Sequence, residues 1–187
     1  MNNQNTIHGS LELIIGNMFS GKSTELIRRI NTIKSINKKV LIINYIHDNR
    51  YSQDSVCSHN NLKVESLKID LLLLIDKEII INSDFIFIDE GQFFCDLLDF
   101  VKLYVDFYKK NIIVSGLDGD SNRNKFGYIL DLIPLCDSVL KLKAYCIKCC
   151  DGTYGPFTKK IVNNDILIDI GGSDKYIPVC RNHYFND

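Results

Sequence analysis

Residues 16–23 read Gly16-Asn-Met-Phe-Ser-Gly-Lys-Ser23 and fit the pattern G-x-x-x-x-G-K-[ST]. The apolar run Leu11-Glu-Leu-Ile-Ile15 precedes them, and apolar residues at helical spacing follow over residues 22–36. A glycine-rich turn between a strand and a helix directs successive backbone N–H groups at phosphate oxygens. In this pattern the lysine reaches the β- and γ-phosphates, and the serine hydroxyl ligates Mg²⁺. The stretch therefore predicts a phosphate-binding loop, with a purely structural glycine turn as the alternative.

The rest of the sequence predicts the sheet to which such a loop belongs. Apolar runs without polar alternation recur over residues 40–43, 85–88, 112–114 and 139–145, and helical patterns cover residues 22–36, 66–79, 95–109 and 126–136. Residues 46–61 are polar and irregular, which indicates a long loop. Apolar strands separated by helices are typical of a parallel sheet covered on both faces. We predict an α/β fold with a P-loop NTPase-type sheet, in which ligands bind at the carboxyl ends of the strands.

An acidic pair follows the strand predicted over residues 85–88. Asp89 stands where P-loop proteins place the carboxylate that holds Mg²⁺, and a helix N-cap is the alternative. Neighbouring side chains at a strand end point to opposite sides, so Glu90 can serve a different purpose. A carboxylate beside the hydroxyl of a phosphoryl acceptor can take its proton, with a solvated carboxylate as the alternative for Glu90.

Composition argues against several classes of protein. The 187 residues carry a net charge of −1 with a pI of about 6.4, whereas a nucleic-acid binder is expected to have a basic face or a high pI. No apolar run approaches the roughly 20 residues that a bilayer span needs, and residues 1–10 lack the pattern of a signal peptide. We therefore expect a cytoplasmic protein that binds neither nucleic acid nor membrane.

The cysteines concentrate near the end of the sequence. Cys146 and Cys149 form a C-x-x-C pair, and Cys180 and His183 form a C-x-x-H pair. Two such pairs supply four ligands for tetrahedral Zn²⁺, and a site closed by four protein ligands is structural. Free thiols beside an unrelated histidine are the alternative. Cys150 competes with Cys149 as the second ligand, although the two-residue spacing favours Cys149.

The texture of the sequence changes near Tyr145, where helical periodicity ends and Gly, Asn and Cys increase. The segment between the two Cys/His pairs has too little apolar surface to order itself, and a zinc ion at its base would solve that problem. We predict three parts: a flexible N-terminal tail over residues 1–10, a P-loop α/β core over residues 11–143, and a small zinc-binding module over residues 144–187.

A phosphate-binding loop identifies a nucleotide but not a reaction. The candidates are a small-molecule kinase, a GTPase or ATPase switch, and a nucleic-acid motor. The guanine-recognition pattern N-K-x-D is absent from the sequence, and a motor needs a larger chain with a basic groove. A kinase needs a second pocket with a cover, which the zinc-tied module can provide.

Several motifs occur together in a characteristic order. They are G-x-M-F-S-G-K-S-T at 16–24, I-D-E-G-Q-F-F at 88–94, L-D-G at 117–119, F-G at 126–127, C-x-x-C at 146–149, G-G-x-D-K-Y at 171–176 and V-C-R-x-H-Y at 179–184. In this order they resemble the type II thymidine kinases, the class found in cells and in large DNA viruses. The resemblance covers nearly the whole chain, and its zinc-tied C-terminal module is the "lasso" of that family.

The resemblance implies a thymidine kinase, which uses ATP and Mg²⁺ to phosphorylate the 5′-hydroxyl of thymidine or deoxyuridine for pyrimidine deoxynucleotide salvage. Glu90 would be the general base, Lys22 would hold the phosphates, and Ser23 with Asp89 would bind Mg²⁺. The residues implied to bind ATP are Gly16, Asn17, Met18, Phe19, Ser20, Gly21, Lys22, Ser23, Thr24, Asp48, Asn49, Arg50, Asp89, Glu90, Gly91 and Gln92.

The resemblance also implies a nucleoside pocket. Its residues would be Met18, Phe93, Leu117, Ser121, Phe126, Thr158, Leu167, Ile168, Asp169, Ile170, Gly171 and Tyr176. Thr158 and the backbone of residues 167–171 would hydrogen-bond the edge of the base. Without the resemblance, Phe93 and Leu117 are equally well explained as core and Tyr176 as a loop anchor. The family further implies a homotetramer, feedback inhibition by dTTP, a structural Zn²⁺ and, for a viral protein, the host cytoplasm.

Two residues depart from the family's pattern. Ser121 stands where an aromatic residue usually lies beside thymine, and we expect this change to weaken base binding or widen specificity. Asn17 replaces the usual Pro or Cys and should be harmless, because the backbone binds the phosphates. Two rival functions are a kinase for another nucleoside, such as deoxyguanosine or deoxycytidine, and a nucleotide-binding protein without kinase activity.

Overall fold

A computed structural model describes residues 8–47, 55–57, 63–162 and 172–186 of the chain. The strands are β1 (Ser10–Gly16), β2 (Val40–Tyr45), β3 (Ser55–Cys57), β4 (Lys63–Glu65), β5 (Leu67–Ile69), β6 (Phe85–Ile88), β7 (Asn111–Leu117), β8 (Ser138–Leu142), β9 (Ala144–Tyr145), β10 (Tyr154–Gly155), β11 (Phe157–Lys160) and β12 (Tyr176–Val179). The α-helices are α1 (Lys22–Ser35), α2 (Lys77–Ile81), α3 (Leu97–Val101) and α4 (Arg181–Phe185). Short 3₁₀ helices cover Leu72–Leu74, Gly91–Phe93 and Ile129–Leu135, and a π-helix, Lys102–Phe107, continues α3.

The main sheet has six strands in the order β5-β2-β6-β7-β1-β8 within the described part of the chain. Every neighbouring pair in it runs parallel. The predicted α/β fold with a parallel sheet is therefore confirmed. Since β7 separates β1 from β6, the turn after Gly16 and the acidic pair after Ile88 lie two strands apart at the same edge of the sheet.

Both faces of the sheet are covered, as the uninterrupted apolar strands predict. On one face, Ile14, Ile42, Phe87 and Ile113 pack against Leu26, Ile27 and Ile30 of α1. On the other face, alternate residues of the same strands pack against α2, α3, the π-helix and the 3₁₀ helix Ile129–Leu135. The 3.6-residue period of α1 therefore turns one apolar stripe to the sheet and leaves Arg28 and Lys34 exposed.

The chain leaves the main sheet after Leu142. The apolar run at 139–145 predicts one strand, but the structure divides it, because β8 pairs with β1 whereas β9 pairs with β10. Strands β11 and β12 then form an antiparallel pair, and α4 follows.

Two helix predictions need correction. The helix predicted over residues 66–79 is wrong, because β5 pairs with β2 as an edge strand and α2 begins only after Asp76, whose carboxylate caps the Glu78 N–H. Pairing with β2 outweighs the helical spacing of the leucines. The helix predicted over residues 126–136 is the 3₁₀ helix Ile129–Leu135, in which Pro134 supplies no N–H for an α-helical hydrogen bond.

Three further regions complete the comparison with the sequence. The predicted loop over residues 46–61 contains β3, which pairs with β4. Strand β1 begins at Ser10, the last residue of the predicted N-terminal tail, and residues 1–7 lie outside the described residues. None of the described helices combines the length and the apolar character that crossing a membrane would require.

Candidate active site

The phosphate-binding loop joins β1 to α1 and closes on its own backbone. Gly21, with φ +89°, precedes the first turn of α1, and Gly16 has φ +153°. The Ser20 hydroxyl donates to the Asn17 carbonyl at 2.8 Å, and the Lys22 ammonium donates to the same oxygen at 2.8 Å. Lys22 is only 8% exposed, so its charge lies beside the loop. This arrangement suits a polyphosphate, because the α1 N-terminus and one ammonium converge there.

Asp89 directly follows β6 and is almost fully buried. Its carboxylate accepts from the Glu90 N–H at 3.0 Å, and its own N–H donates to the Ile43 carbonyl at 2.9 Å. Because Glu90 is the residue that precedes the helix Gly91–Phe93, Asp89 is not its N-cap. Its position at the edge of the sheet is the one predicted for a magnesium-binding carboxylate.

Glu90 is 7% exposed and adopts φ 55° and ψ 39°, a left-handed conformation that residues other than glycine seldom adopt. Its carboxylate accepts from the Gln92 amide nitrogen at 2.5 Å, and the Gln92 oxygen accepts from the Leu117 N–H at 2.9 Å. Gln92 thus connects the candidate base to the end of β7. Strained backbone of this kind often occurs at functional sites.

Several of the predicted nucleoside-pocket residues come together. Met18, Leu117 and Tyr176 form a buried apolar cluster, and Phe126 packs against it. Phe93 meets Phe126 edge to face, with 5.4 Å between ring centroids. These contacts place one wall of the predicted pocket on the phosphate-binding loop itself, through Met18.

A cleft of about 620 Å³ lies beside this cluster and shares Gln92, Phe93 and Phe126 with the predicted site. Tyr45, which stacks on Phe93 at 5.1 Å, and His47 also line it. Its volume falls within the roughly 300–1,000 Å³ usual for small-molecule sites.

The segment after β8 forms hydrogen bonds with the phosphate-binding loop. The Asn17 side chain is 3% exposed, donates to the Gly155 carbonyl at 2.9 Å and accepts from the Ala144 N–H at 3.3 Å. The Thr158 hydroxyl accepts from the Met18 N–H at 3.1 Å, which leaves its proton for another acceptor. The sequence predicts only that Asn17 is harmless in place of Pro or Cys. The structure shows that its side chain also bonds the phosphate-binding loop to the segment after β8.

The β7 loop, residues 118–127, carries two of the residues predicted for the nucleoside pocket, Ser121 and Phe126. Ser121 is half-buried, and its carbonyl accepts from the Tyr184 hydroxyl at 2.6 Å. Two predicted sets, Asp48 with Asn49 and Arg50 and the stretch Leu167, Ile168, Asp169, Ile170 and Gly171, lie outside the described residues.

Cys146, Cys149, Cys180 and His183 come together as the spacing predicts, with all four ligand atoms within 4.8 Å of one another. Cys149 and Cys180 sulfurs are 3.8 Å apart, and the His183 Nδ1 lies 3.4–3.5 Å from all three sulfurs. A zinc tetrahedron has edges of about 3.8 Å between sulfurs and about 3.6 Å between sulfur and nitrogen. The cluster thus fits zinc in both chemistry and size, whereas the Cys150 thiol donates to the Ile147 carbonyl instead.

Two thiols of this cluster, Cys146 and Cys149, have pKa values shifted in opposite directions. Burial opposes ionisation of Cys146, but backbone amides of Cys180 and Cys149, with His183, outweigh it and lower its pKa to about 6. Removal from water, with the neighbouring Cys146 and Cys180, raises the pKa of Cys149 to about 12. A divalent cation would remove this conflict by stabilising every thiolate at once.

Comparison with known proteins shows the family of the chain. A family model described as thymidine kinase matches residues 9–184. The chain belongs to the thymidine kinase family. It is 42% identical over 177 residues to human cytosolic thymidine kinase, covering 95% of this chain and 74% of that protein. It is 39% identical over 184 residues to the thymidine kinase of fowlpox virus (strain NVSL), covering 96% and 98%, respectively.

Some contacts of this thymidine kinase-family chain are not evident from its sequence. The hydrogen bond from the Leu117 N–H to Gln92 and the bond from Asn17 to the Gly155 carbonyl join residues far apart in the chain. No local sequence pattern predicts either bond. Tyr45 has a detectable signal, because it lies two residues after the strand predicted over residues 40–43, near the edge where ligands bind.

Proposed function

We propose that this protein is a thymidine kinase, which transfers the γ-phosphate of ATP to the 5′-hydroxyl of thymidine or deoxyuridine. The observation that carries the proposal is the double position of Met18. Its backbone belongs to the phosphate-binding loop, and its side chain packs with Leu117 and Tyr176 in the apolar cluster. A phosphate site and a site for a flat, partly apolar molecule thus share one residue, as phosphate transfer between two bound substrates requires.

The chemistry follows from the residues at the edge of the sheet. Lys22 and the loop amides would bind the phosphates, and Asp48, Asn49 and Arg50 would approach them from the loop after β2. When bound through Ser23 and Asp89, Mg²⁺ would offset the charge of the phosphates. Glu90 accepts the 5′-hydroxyl proton as the oxygen bonds to the γ-phosphorus, and the bond to the β-phosphate oxygen breaks to release ADP. The products are thymidine monophosphate and ADP.

The remaining roles concern the nucleoside and the assembly. Thr158 and residues 167–171 would bind the edge of the base, and Zn²⁺ on the Cys/His cluster would hold their segment in place. The family resemblance supports a homotetramer, feedback inhibition by dTTP and a cytoplasmic location.

One assay tests the proposal. The purified protein is incubated with labelled ATP, Mg²⁺ and, separately, thymidine, deoxyuridine, deoxycytidine and deoxyguanosine, and 5′-monophosphates are separated and counted. We expect thymidine to be the preferred acceptor and Lys22→Ala to abolish transfer. If deoxyguanosine or deoxycytidine is the preferred acceptor, that nucleoside and not thymidine is the substrate. Failure to phosphorylate any nucleoside, with ATP still bound, would favour a nucleotide-binding protein.

A further inference from the structure

Helix α4 contacts the β7 loop at two points. The Tyr184 hydroxyl donates to the Ser121 carbonyl at 2.6 Å, across 63 positions of sequence. The Arg123 guanidinium lies 4.6 Å from the centre of the Tyr184 ring and 4.5 Å from that of Phe185. A third ring, Phe157 of β11, lies 5.6 Å from the same cation. An arginine over aromatic faces is attracted by their negative potential, so these contacts hold the tip of the loop.

The tip of this loop combines a strained backbone with internal hydrogen bonds. Arg123 has φ 64°, a left-handed conformation that is strained for a residue with a side chain. The Asp120 carboxylate supports the turn from within, accepting from the Asn122 and Asn124 N–H groups at 2.9 and 2.8 Å. Arg123 itself remains exposed, and its ring contacts come from the C-terminal segment.

Helix α4 contains or adjoins two of the four residues of the Cys/His cluster. Cys180 immediately precedes it, His183 lies within it, and Tyr184 is the next residue. A five-residue helix is too short to be stable alone, so its position depends on its tertiary contacts. A metal ion on the cluster would hold this helix at its N-cap, Cys180, and at His183, and the Tyr184 hydroxyl and ring contact the β7 loop from the same turn.

We propose that Arg123 and Tyr184 are positioning residues, through which the Cys/His cluster sets the conformation of the β7 loop and so the affinity for the nucleoside. The loop carries Ser121 and Phe126, whereas the phosphate-binding loop makes none of these contacts. The inference rests on the proposed function only in taking thymidine as the ligand. It assigns to Arg123 and Tyr184 an effect on nucleoside binding and not on ATP binding.

Kinetics of zinc-loaded variants provide the first test. Tyr184→Phe keeps the ring beneath Arg123 but removes the hydroxyl, and Arg123→Gln removes the cation. We expect each change to raise KM for thymidine about 5-fold, the size of one lost hydrogen bond or ring contact, while kcat and KM for ATP stay within about 2-fold. Lys143→Gln is the matched control, since it removes the Lys143 contact with Tyr154, at 4.5 Å, in the same segment. Equal changes in both KM values, or the same change in the control, would overturn the proposal.

Hydrogen exchange provides a test that needs no activity. In the zinc-loaded protein, we expect the amides of residues 118–127 to exchange faster in Tyr184→Phe and in Arg123→Gln than in the wild type, with exchange in α1 unchanged. Partial removal of zinc by a chelator should speed exchange of the same loop in the wild type but add little in the double variant. Unchanged exchange in the single variants would refute the link. Absence of thymidine phosphorylation alone would refute the proposed function and leave this result standing.

Discussion

At the residue scale, the carboxylate of Glu90 is oriented before a substrate binds. Gln92 donates to it, and the same side chain is fixed by the Leu117 N–H at the end of β7. A preoriented base does not have to be reorganised during the reaction. The sequence predicts Glu90 as a base from its motif, but the role of Gln92 as its anchor depends on the parallel neighbours β6 and β7 and could not be predicted locally.

Replacing Glu90 by glutamine separates proton transfer from packing. Glu90→Gln preserves size and can still accept from Gln92, but it cannot take up a proton at neutral pH. We expect kcat with thymidine to fall about 10²–10⁴-fold in steady-state assays, the usual contribution of a general base. Glu78→Gln, on the exposed side of α2, should retain activity. Near-normal turnover in Glu90→Gln, with Lys22→Ala inactive, would show that Glu90 is not the base.

A substitution at Ser121 tests whether an aromatic side chain at this position would strengthen nucleoside binding. Ser121 lies on the β7 loop between Leu117 and Phe126, which belong to or pack against the apolar cluster. A ring at this position would add one aromatic contact to the base, worth about 0.5–1.5 kcal/mol. We therefore expect Ser121→Phe to lower KM for thymidine about 2- to 10-fold with little change in KM for ATP, and Ser121→Ala to change neither. A KM for thymidine that stays the same or rises would contradict this account.

At the scale of elements, segments with a clear apolar pattern are predicted correctly, whereas a short strand at the edge of the sheet is not. The unit β1–loop–α1 is predicted because the apolar pattern changes from continuous to helical at the glycine-rich turn. Strand β5 is missed because it is three residues long, and its conformation is decided by pairing with β2 rather than by its own sequence. The apolar run at 139–145 likewise gives no sign that β8 and β9 join different sheets.

The two glycines of the phosphate-binding loop should respond differently to alanine. A Cβ on Gly16 would lie 2.3 Å from the Leu142 carbonyl oxygen, whereas one on Gly21 would meet nothing within 4 Å. Gly21→Ala therefore pays only for its left-handed backbone, about 1–2 kcal/mol. We expect Gly16→Ala to lower Tm more and to weaken binding of a non-hydrolysable ATP analogue, because the loop or the end of β8 must move. Calorimetry of both variants checks the order, and an equal or greater loss for Gly21→Ala would contradict it.

At the scale of the whole molecule, the C-terminal segment supports both halves of the site. It reaches the phosphate-binding loop through Asn17 and Thr158, and it reaches the β7 loop through Tyr184. The sequence predicts the four metal ligands from their spacing, because a knuckle is a local pattern. It gives no indication of the bonds to Asn17, since Gly155 is 138 positions away and the contact exists only after the sheet has formed.

This organisation predicts what loss of the metal does. The purified protein should contain close to one zinc per chain. Removal of the zinc should lower Tm and weaken binding of both substrates, because the segment that contacts both loops would lose the metal that orders it. His183→Ala should lose the metal, whereas Cys150→Ser should keep it, since the Cys150 sulfur bonds to a backbone carbonyl outside the cluster. Elemental analysis and thermal unfolding distinguish these outcomes. Absence of zinc from protein never exposed to a chelator would refute the metal site.

The pKa values of the cluster give the direction of its pH dependence. With the pKa of Cys149 raised to about 12 by removal from water and by the neighbouring thiols, that sulfur keeps its proton in the metal-free protein at neutral pH. Zinc binding must release this proton, so zinc affinity rises with pH and falls on acidification. Competition with a colorimetric chelator at about pH 6.5 and about pH 7.5 should show tighter binding at the higher value. Affinity independent of pH would mean that the thiols are already ionised without the metal, and the electrostatic conflict inferred for this cluster would then be wrong.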